Sequence, residues 1–305
     1  MKKSFAAKLK TDWSKHKWKY IIILPILIYL ILFYYKPMYG IIIAFKNYRP
    51  SLGILDSKWV GLDNFVRFFN DPFFGRVLRN TFAISLLTLV FSFPAAIMLA
   101  LLLNEVKVSW FKRTIQTITY MPHFIAIVVV CGLVTSYCQS NGIINDIIVF
   151  FGGERSNLLA NPKYFYLIYV LSAVWQSMGW NSIIYLAALS GIDQEQYEAA
   201  KIDGAGRLAQ LWYITLPGLV PTIAMLLVLN LGKVLSVGHE KILLLYQPLT
   251  YEVADVISTY VYRVGMLDGN YSYSTAIELF NSIVNITFLL AANKLSKKMG
   301  QSGLF

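Results

Sequence analysis

The chain has 305 residues, 57% of them hydrophobic and only 14% charged, with a formal net charge of +11. Soluble domains carry about 25% charged residues, so this composition leaves too little polar surface for water and assigns the chain to a bilayer. The positive balance does not describe a nucleic-acid groove, because seven lysines (Lys2, Lys3, Lys8, Lys10, Lys15, Lys17 and Lys19) crowd into the first nineteen residues, the pattern of a membrane-orienting tail.

After that tail (1–19), six segments are apolar enough to span: Tyr20–Tyr35, Val77–Leu103, Ile115–Tyr137, Tyr164–Leu189, Leu211–Leu235 and Ser274–Ala292. The first falls short of the roughly 20 residues a span needs. Lys36 can snorkel at its end, and the apolar run Ile41–Phe45 follows Pro37. No small-residue cleavage pattern closes it, so it is expected to be a retained anchor rather than a signal peptide. Pro25, Pro94, Pro122, Pro217 and Pro221 predict local kinks. The expected fold is an all-α integral membrane bundle, not a barrel. Its organisation is a first span with an external segment (20–76), a core of five spans (77–298) that includes a loop at 193–217, and a short tail (299–305).

An even number of spans puts both termini on one side. Basic residues at both ends, including Lys294, Lys297 and Lys298, assign that side to the cytoplasm. Lys107, Lys112 and Arg113 fall on the same side. The 36–79 connection carries seven Lys/Arg on the other face, but long loops weigh little in this rule. Within it Phe65, Phe68, Phe69, Phe73 and Phe74 alternate with Arg67, Asp71 and Arg76, which suits an amphipathic helix in the interface. The aromatic 238–273 connection is long enough to be functional. It is read either as a contact for an external protein or as a re-entrant helix.

The chain shows no catalytic apparatus. There is no G-x-x-x-x-G-K-[ST] phosphate loop, so the chain is not expected to hydrolyse ATP. His16, His123 and His239 are scattered, and no metal site is expected. Cys131 and Cys138 lie seven residues apart in one apolar helix, about 10 Å along its axis, beyond disulfide reach. They read as small core residues.

The loop at 193–217 is the most informative stretch. Asp193 is a good N-cap, with Gln196 as a capping-box partner. Gln194–Asp203 favours helix, and Gly204 supplies a left-handed stop. Residues 193–207 hold four acids and two bases, against the positive-inside tendency. Ala199, Ala200 and Ala205 let another backbone approach closely, while Glu195, Glu198 and Asp203 offer carboxylates. The loop is read as a docking surface for a soluble partner, with an ordinary solvated connector as the alternative.

Polar positions inside spans face protein or water rather than lipid. Glu278, Asn281, Ser282 and Asn285 share one face of the last span. Tyr169, Ser172, Gln176 and Trp180 share a face of the fourth, with Asn181 adjacent, a mixture of aromatics and amides that suits sugars. Thr81, Ser85, Thr88 and Ser92 form a hydroxyl face on the second, read mainly as helix packing. Gln176, Trp180, Asn230, Glu278, Asn281 and Asn285 are carried as candidates for a translocation path, with interior packing as the competing role for each.

The stretch Glu198-Ala199-Ala200, with Gly204 and then Ile214-x-Leu216-Pro217, resembles the EAA loop of binding-protein-dependent ABC importer permeases. Gly61–Phe65, Asn80-Thr81, Ala100–Glu105, Tyr120–Phe124 and Gly179–Leu189 resemble the sugar-importing branch. Gly238–Tyr246 and Val256–Arg263 resemble its lipoprotein-dependent oligosaccharide and polysaccharide group. One departure is Ile125-Ala126-Ile127, where a serine and a tryptophan are expected. The resemblance implies the six-helix type I importer permease (MetI-like) fold, with a coupling helix in which Glu198, Ala199, Ala200, Asp203 and Gly204 meet an ATPase. It also implies a second permease subunit forming a heterodimer, two cytoplasmic ATPase subunits that hold the ATP and magnesium, and an external solute-binding lipoprotein. No cofactor is expected on this chain. The implied role is oligosaccharide import across a bacterial cytoplasmic membrane, the alternatives being an importer of a non-sugar solute or a secondary carrier.

Overall fold

The computed structural model describes residues 5–298 and residue 300. The expected features at Lys2, Lys3 and, apart from Gly300, the 299–305 tail lie outside the described residues. Among the described residues, five segments are long and apolar enough to cross a membrane: Lys15–Phe45, Phe74–Glu105, Ile127–Phe150, Arg207–Leu231 and Tyr271–Lys298. A further helix, Pro162–Ser190, has 29 residues and reaches about 43 Å. Its tyrosines, tryptophans and amides dilute its hydropathy, yet it occupies the centre of the bundle.

Helix α1 (Phe5–Leu30) begins within the basic tail, bends at His16 (φ −126°, ψ 18°) and continues through Pro25. A π-turn and a 3-10 segment carry the chain to Phe45, where Ala44 is fully buried. Strands β1 (Lys46–Arg49) and β2 (Ser57–Trp59) form a small antiparallel hairpin that pairs Lys46 with Trp59. The phenylalanine-rich region is not one amphipathic helix. Helix α2 (Asp63–Phe69) stops before Asp71-Pro72, and α3 (Phe74–Glu105) starts afresh. Phe68 then turns inward, edge-on to Phe74, Tyr273 and Phe280.

The third span also differs from its expected limits of 115–137. Amphipathic α4 (Ser109–Tyr120) ends in a 3-10 turn at Met121–Phe124, where Pro122 breaks the ladder. Helix α5 (Ile127–Cys138) and α6 (Ile143–Phe150) complete the crossing. Ala126 sits at the α5 N-cap without a side-chain cap, so the departure noted at Ile125–Ile127 falls at a helix start.

Asn161 caps α7 (Pro162–Ser190) by accepting from the Lys163 amide at 3.1 Å, with Pro162 at the first helical position. Helices α3 and α7 form the most extensive helix pair. Small residues let backbones touch: a Cβ on Gly179 would stand 2.0 Å from the Thr119 carbonyl oxygen of α4. After α8 (Gln194–Ile202) the chain enters α9 (Leu216–Leu231) through a π-turn at Leu211–Thr215. The 238–273 connection folds into helices, among them α10 (His239–Leu245) and α11 (Ile257–Tyr262). Their buried residues Ile242, Leu245 and Val256 pack with Ile84, Cys131, Phe165 and Tyr169 of the bundle. The last helix, α12 (Tyr271–Lys298), packs against α9 and the Tyr39–Phe45 turn.

Candidate functional site: a docking rod and a half-open cleft

Helix α8 projects between α7 and α9 and is finished at both ends by local hydrogen bonds. Asp193 accepts from the Glu195 amide at 3.0 Å. At the other end Gly204 adopts φ +81°. The Ala205 amide reaches the Ala200 carbonyl at 2.8 Å, and the Gly204 amide reaches Lys201 at 3.1 Å, the paired bonds of a Schellman stop. Glu198, Ala199, Asp203 and Gly204 are exposed, Ala200 is half-buried, and Ile202 is 87% exposed. The Tyr197 hydroxyl meets Thr215 Oγ1 at 3.0 Å, tying the rod to the base of α9. Gly218 allows α9 to lie against Ile192, since a Cβ there would come within 2.7 Å of the Ile192 Cδ1. A short rod thus presents acidic and apolar side chains outward on a fixed mount.

Between α3, α7 and α9 lies a half-open cleft of about 370 Å³. Ser85, Thr88 and Ser92 line it from α3, Ser177 and Asn181 from α7, and Asn230 from α9. Ser92 and Ser177 hydroxyls are 3.0 Å apart, and Thr88 Oγ1 is buried without a partner. Tyr169, Tyr185 and Phe93 add aromatic walls, and Lys233 and Ser236 close one end.

The structure distributes the sequence candidates differently. Asn230 lines the cleft, its amide donating to the Leu226 carbonyl at 2.8 Å so that its own oxygen is left for other donors. Gln176 and Trp180 are not among the lining residues. Trp180 instead stacks on His123, with ring centres 4.5 Å apart and planes 3° from parallel. Glu278 accepts from Asn281 at 3.4 Å. Asn285 accepts from the Leu235 amide at 2.9 Å and donates to Ser236 at 3.0 Å, so it anchors the turn after α9. The hydroxyl face of α3, read from sequence mainly as packing, contributes Ser85, Thr88 and Ser92 to the cleft, while Thr81 of that face binds the Ile257 amide. A matching signal existed in Ser177 and Asn181, four apart on α7.

Where the 238–273 connection meets α3, Asp255 is fully buried and holds Arg263 at 2.7 Å and Arg76 at 3.0 Å. Asp71 accepts from Tyr260 at 2.6 Å and Tyr273 at 2.8 Å. Burial pushes Asp71 up, but these bonds, the Phe73 amide and nearby Arg67 outweigh it and hold the carboxyl below its ordinary 3.8.

Residues 92–301 match the family described as the binding-protein-dependent transport system inner membrane component. The chain belongs to this family. It is an integral membrane transport subunit of an ABC importer, not an enzyme, and works with a solute-binding protein and an ATPase. It is 46% identical to the polygalacturonan/rhamnogalacturonan transport system permease protein YteP of Bacillus subtilis, over all of this chain and 95% of that one. Identity to protein LplB of the same organism is 45%, over 99% and 94%. A crystal structure of a bacterial ABC transporter that imports the acidic polysaccharide alginate superposes with a TM-score of 0.89 at 43% identity, covering 96% of this chain and all of the other. A second, with an alginate pentasaccharide-bound periplasmic protein, gives 0.90.

Proposed function

We propose that this chain forms half of the membrane pathway of an ATP-driven oligosaccharide importer. A second, non-identical permease subunit closes the open side of the cleft. Two ATPase subunits, carrying the ATP and magnesium, engage α8 through Glu198, Ala199, Ala200, Asp203 and the turn at Gly204. A solute-binding lipoprotein delivers the oligosaccharide to the outer face, and both termini lie in the cytoplasm of a bacterial cell.

The observation that carries this reading is the pairing of a capped exposed rod with a half-open cleft of hydroxyls, amides and aromatics that the two helices it joins form together with α3. Such a lining offers hydrogen bonds to sugar rims and apolar surface to ring faces. The names of the relatives, given for polygalacturonan, rhamnogalacturonan and alginate, support a saccharide and favour an acidic one. Closure of the ATPase pair would move α8 as a lever and reorient α7 and α9, alternating the access of the cleft.

The test is uptake of oligogalacturonide into proteoliposomes containing the complete transporter and its binding protein. ATP-dependent accumulation that stops when the partner ATPase is inactivated is expected. Uptake that persists under that inactivation would make the chain a secondary carrier and overturn the proposal.

A further inference from the structure

Among the described residues lining the cleft, Lys233 is the only one charged at neutral pH, and none is acidic. It is exposed, and the three ion pairs among the described residues do not include it.

The turn that carries it is fixed from several sides. Its amide bonds to the Asn230 carbonyl at 3.0 Å, and its carbonyl accepts from Ser236 at 2.9 Å. Asn285 of α12 clasps the same turn through the Leu235 amide and the Ser236 hydroxyl. Ser258 donates to the Val237 carbonyl at 2.7 Å. The turn lies so close to α12 that a Cβ on Gly232 would stand 2.7 Å from Leu289 Cδ1. Five hydrogen bonds and a close backbone approach therefore hold the turn from which Lys233 extends its ammonium into a cleft whose other lining polar groups are neutral.

A second ammonium stands behind the wall. Lys241 of α10 is buried, its Nζ 4.8 Å from the centre of the Tyr169 ring and 3.4 Å from the Tyr169 carbonyl oxygen. Burial pulls its pKa down from the ordinary lysine value to about 8. A lysine in a lining without acids, backed by a second lysine behind the Tyr169 wall, makes the cleft electropositive.

We propose that Lys233 is a specificity-determining residue, pairing with a carboxylate of a uronate-bearing oligosaccharide as it crosses, so that charged saccharides pass in preference to neutral ones of the same skeleton. This rests on the oligosaccharide reading above. The plain rival is a lysine that merely snorkels to the interface at the end of a span. Such a lysine is indifferent to the charge of the solute.

The decisive probes are trigalacturonate and its fully methyl-esterified form, which share a skeleton and differ in charge. Initial uptake of each is measured in proteoliposomes of the complete transporter, and the acid-to-ester ratio is compared between variants. Selection by the solute-binding protein is common to all variants and cancels. Lys233→Met is expected to lower the ratio about tenfold, equivalent to about 1.4 kcal/mol, and Lys233→Arg to keep it. An unchanged ratio in Lys233→Met overturns the proposal. So does an equal loss of both substrates in an assembled complex, or a ratio that falls as far with Arg as with Met. If the wild-type transporter imports neither probe, the oligosaccharide reading itself fails.

Discussion

Gly204 ends α8 in a backbone conformation that side chains resist, and a Cβ placed there meets nothing within 4 Å. Substitution therefore strains φ rather than creating a collision. An L-residue in the left-handed region costs about 1–2 kcal/mol, less for asparagine and more for a β-branched residue. One to two kcal/mol shifts the ratio of closed to frayed end by a factor of about 5–30. The bonds lost on fraying are Ala205 to Ala200 and Gly204 to Lys201. Amide exchange at Ala205 in the assembled transporter reads that ratio directly, and solute imported per ATP hydrolysed reads the coupling. Exchange should accelerate in the order Gly204→Asn, Gly204→Ala, Gly204→Val, with coupling falling in the same order. An Ala205 amide as protected in Gly204→Ala as in the wild type would refute the strain. Equal loss of coupling in Asn and Val variants would refute the link from strain to transport.

Three further substitutions probe the α4–α7 contact and the aspartates Asp255 and Asp71. Gly179→Ala must part α4 from α7 by at least 1.0 Å, the gap between the 2.0 Å contact and the 3.0 Å that real Cβ atoms respect. Overpacking of this kind costs about 1–3 kcal/mol or more, so thermal inactivation in detergent should come several degrees earlier, whereas Gly132→Ala, which meets nothing, should not shift it. Asp255→Ala strands two guanidinium groups; it should cost about 3 kcal/mol, the low end for a broken buried pair, because Arg76 and Arg263 are 27% and 30% exposed. Unchanged thermal stability in that variant would show the cluster to be dispensable. Asp71 has a folded pKa below its unfolded value, so its contribution is present above about pH 4 and lost as pH falls through the folded pKa. Melting of the wild type between pH 5 and pH 3 should show a loss that Asp71→Asn lacks.

The capped rod was legible from sequence because capping is local. An aspartate, a helix-favouring run and a glycine determine their hydrogen bonds within a few residues of each other. The spans were legible from composition, although Pro122 moved the third one, and Asp71-Pro72 split a segment whose phenylalanines suggested a single helix. The cleft was not legible, because its lining depends on which faces of α3, α7 and α9 meet. Ser85, Thr88 and Ser92 carry the same pattern whether they pack or line a passage. Asn285 shows the converse: an amide inside a span suggested the path, yet it satisfies a backbone amide of the turn after α9. Nothing in the local sequence of Lys233 distinguished it from other basic residues near span ends.

The π-turn at Leu211–Thr215, where Tyr197 grips Thr215, lies between the rod and α9. Such a widened coil holds one residue more than the regular spiral and can pass that surplus along its length without unravelling. The joint has slack built into it. Under the proposed coupling, a push on the rod would be absorbed as a sliding of register rather than a fracture, so the gearing would reside in these five residues as much as in the lever.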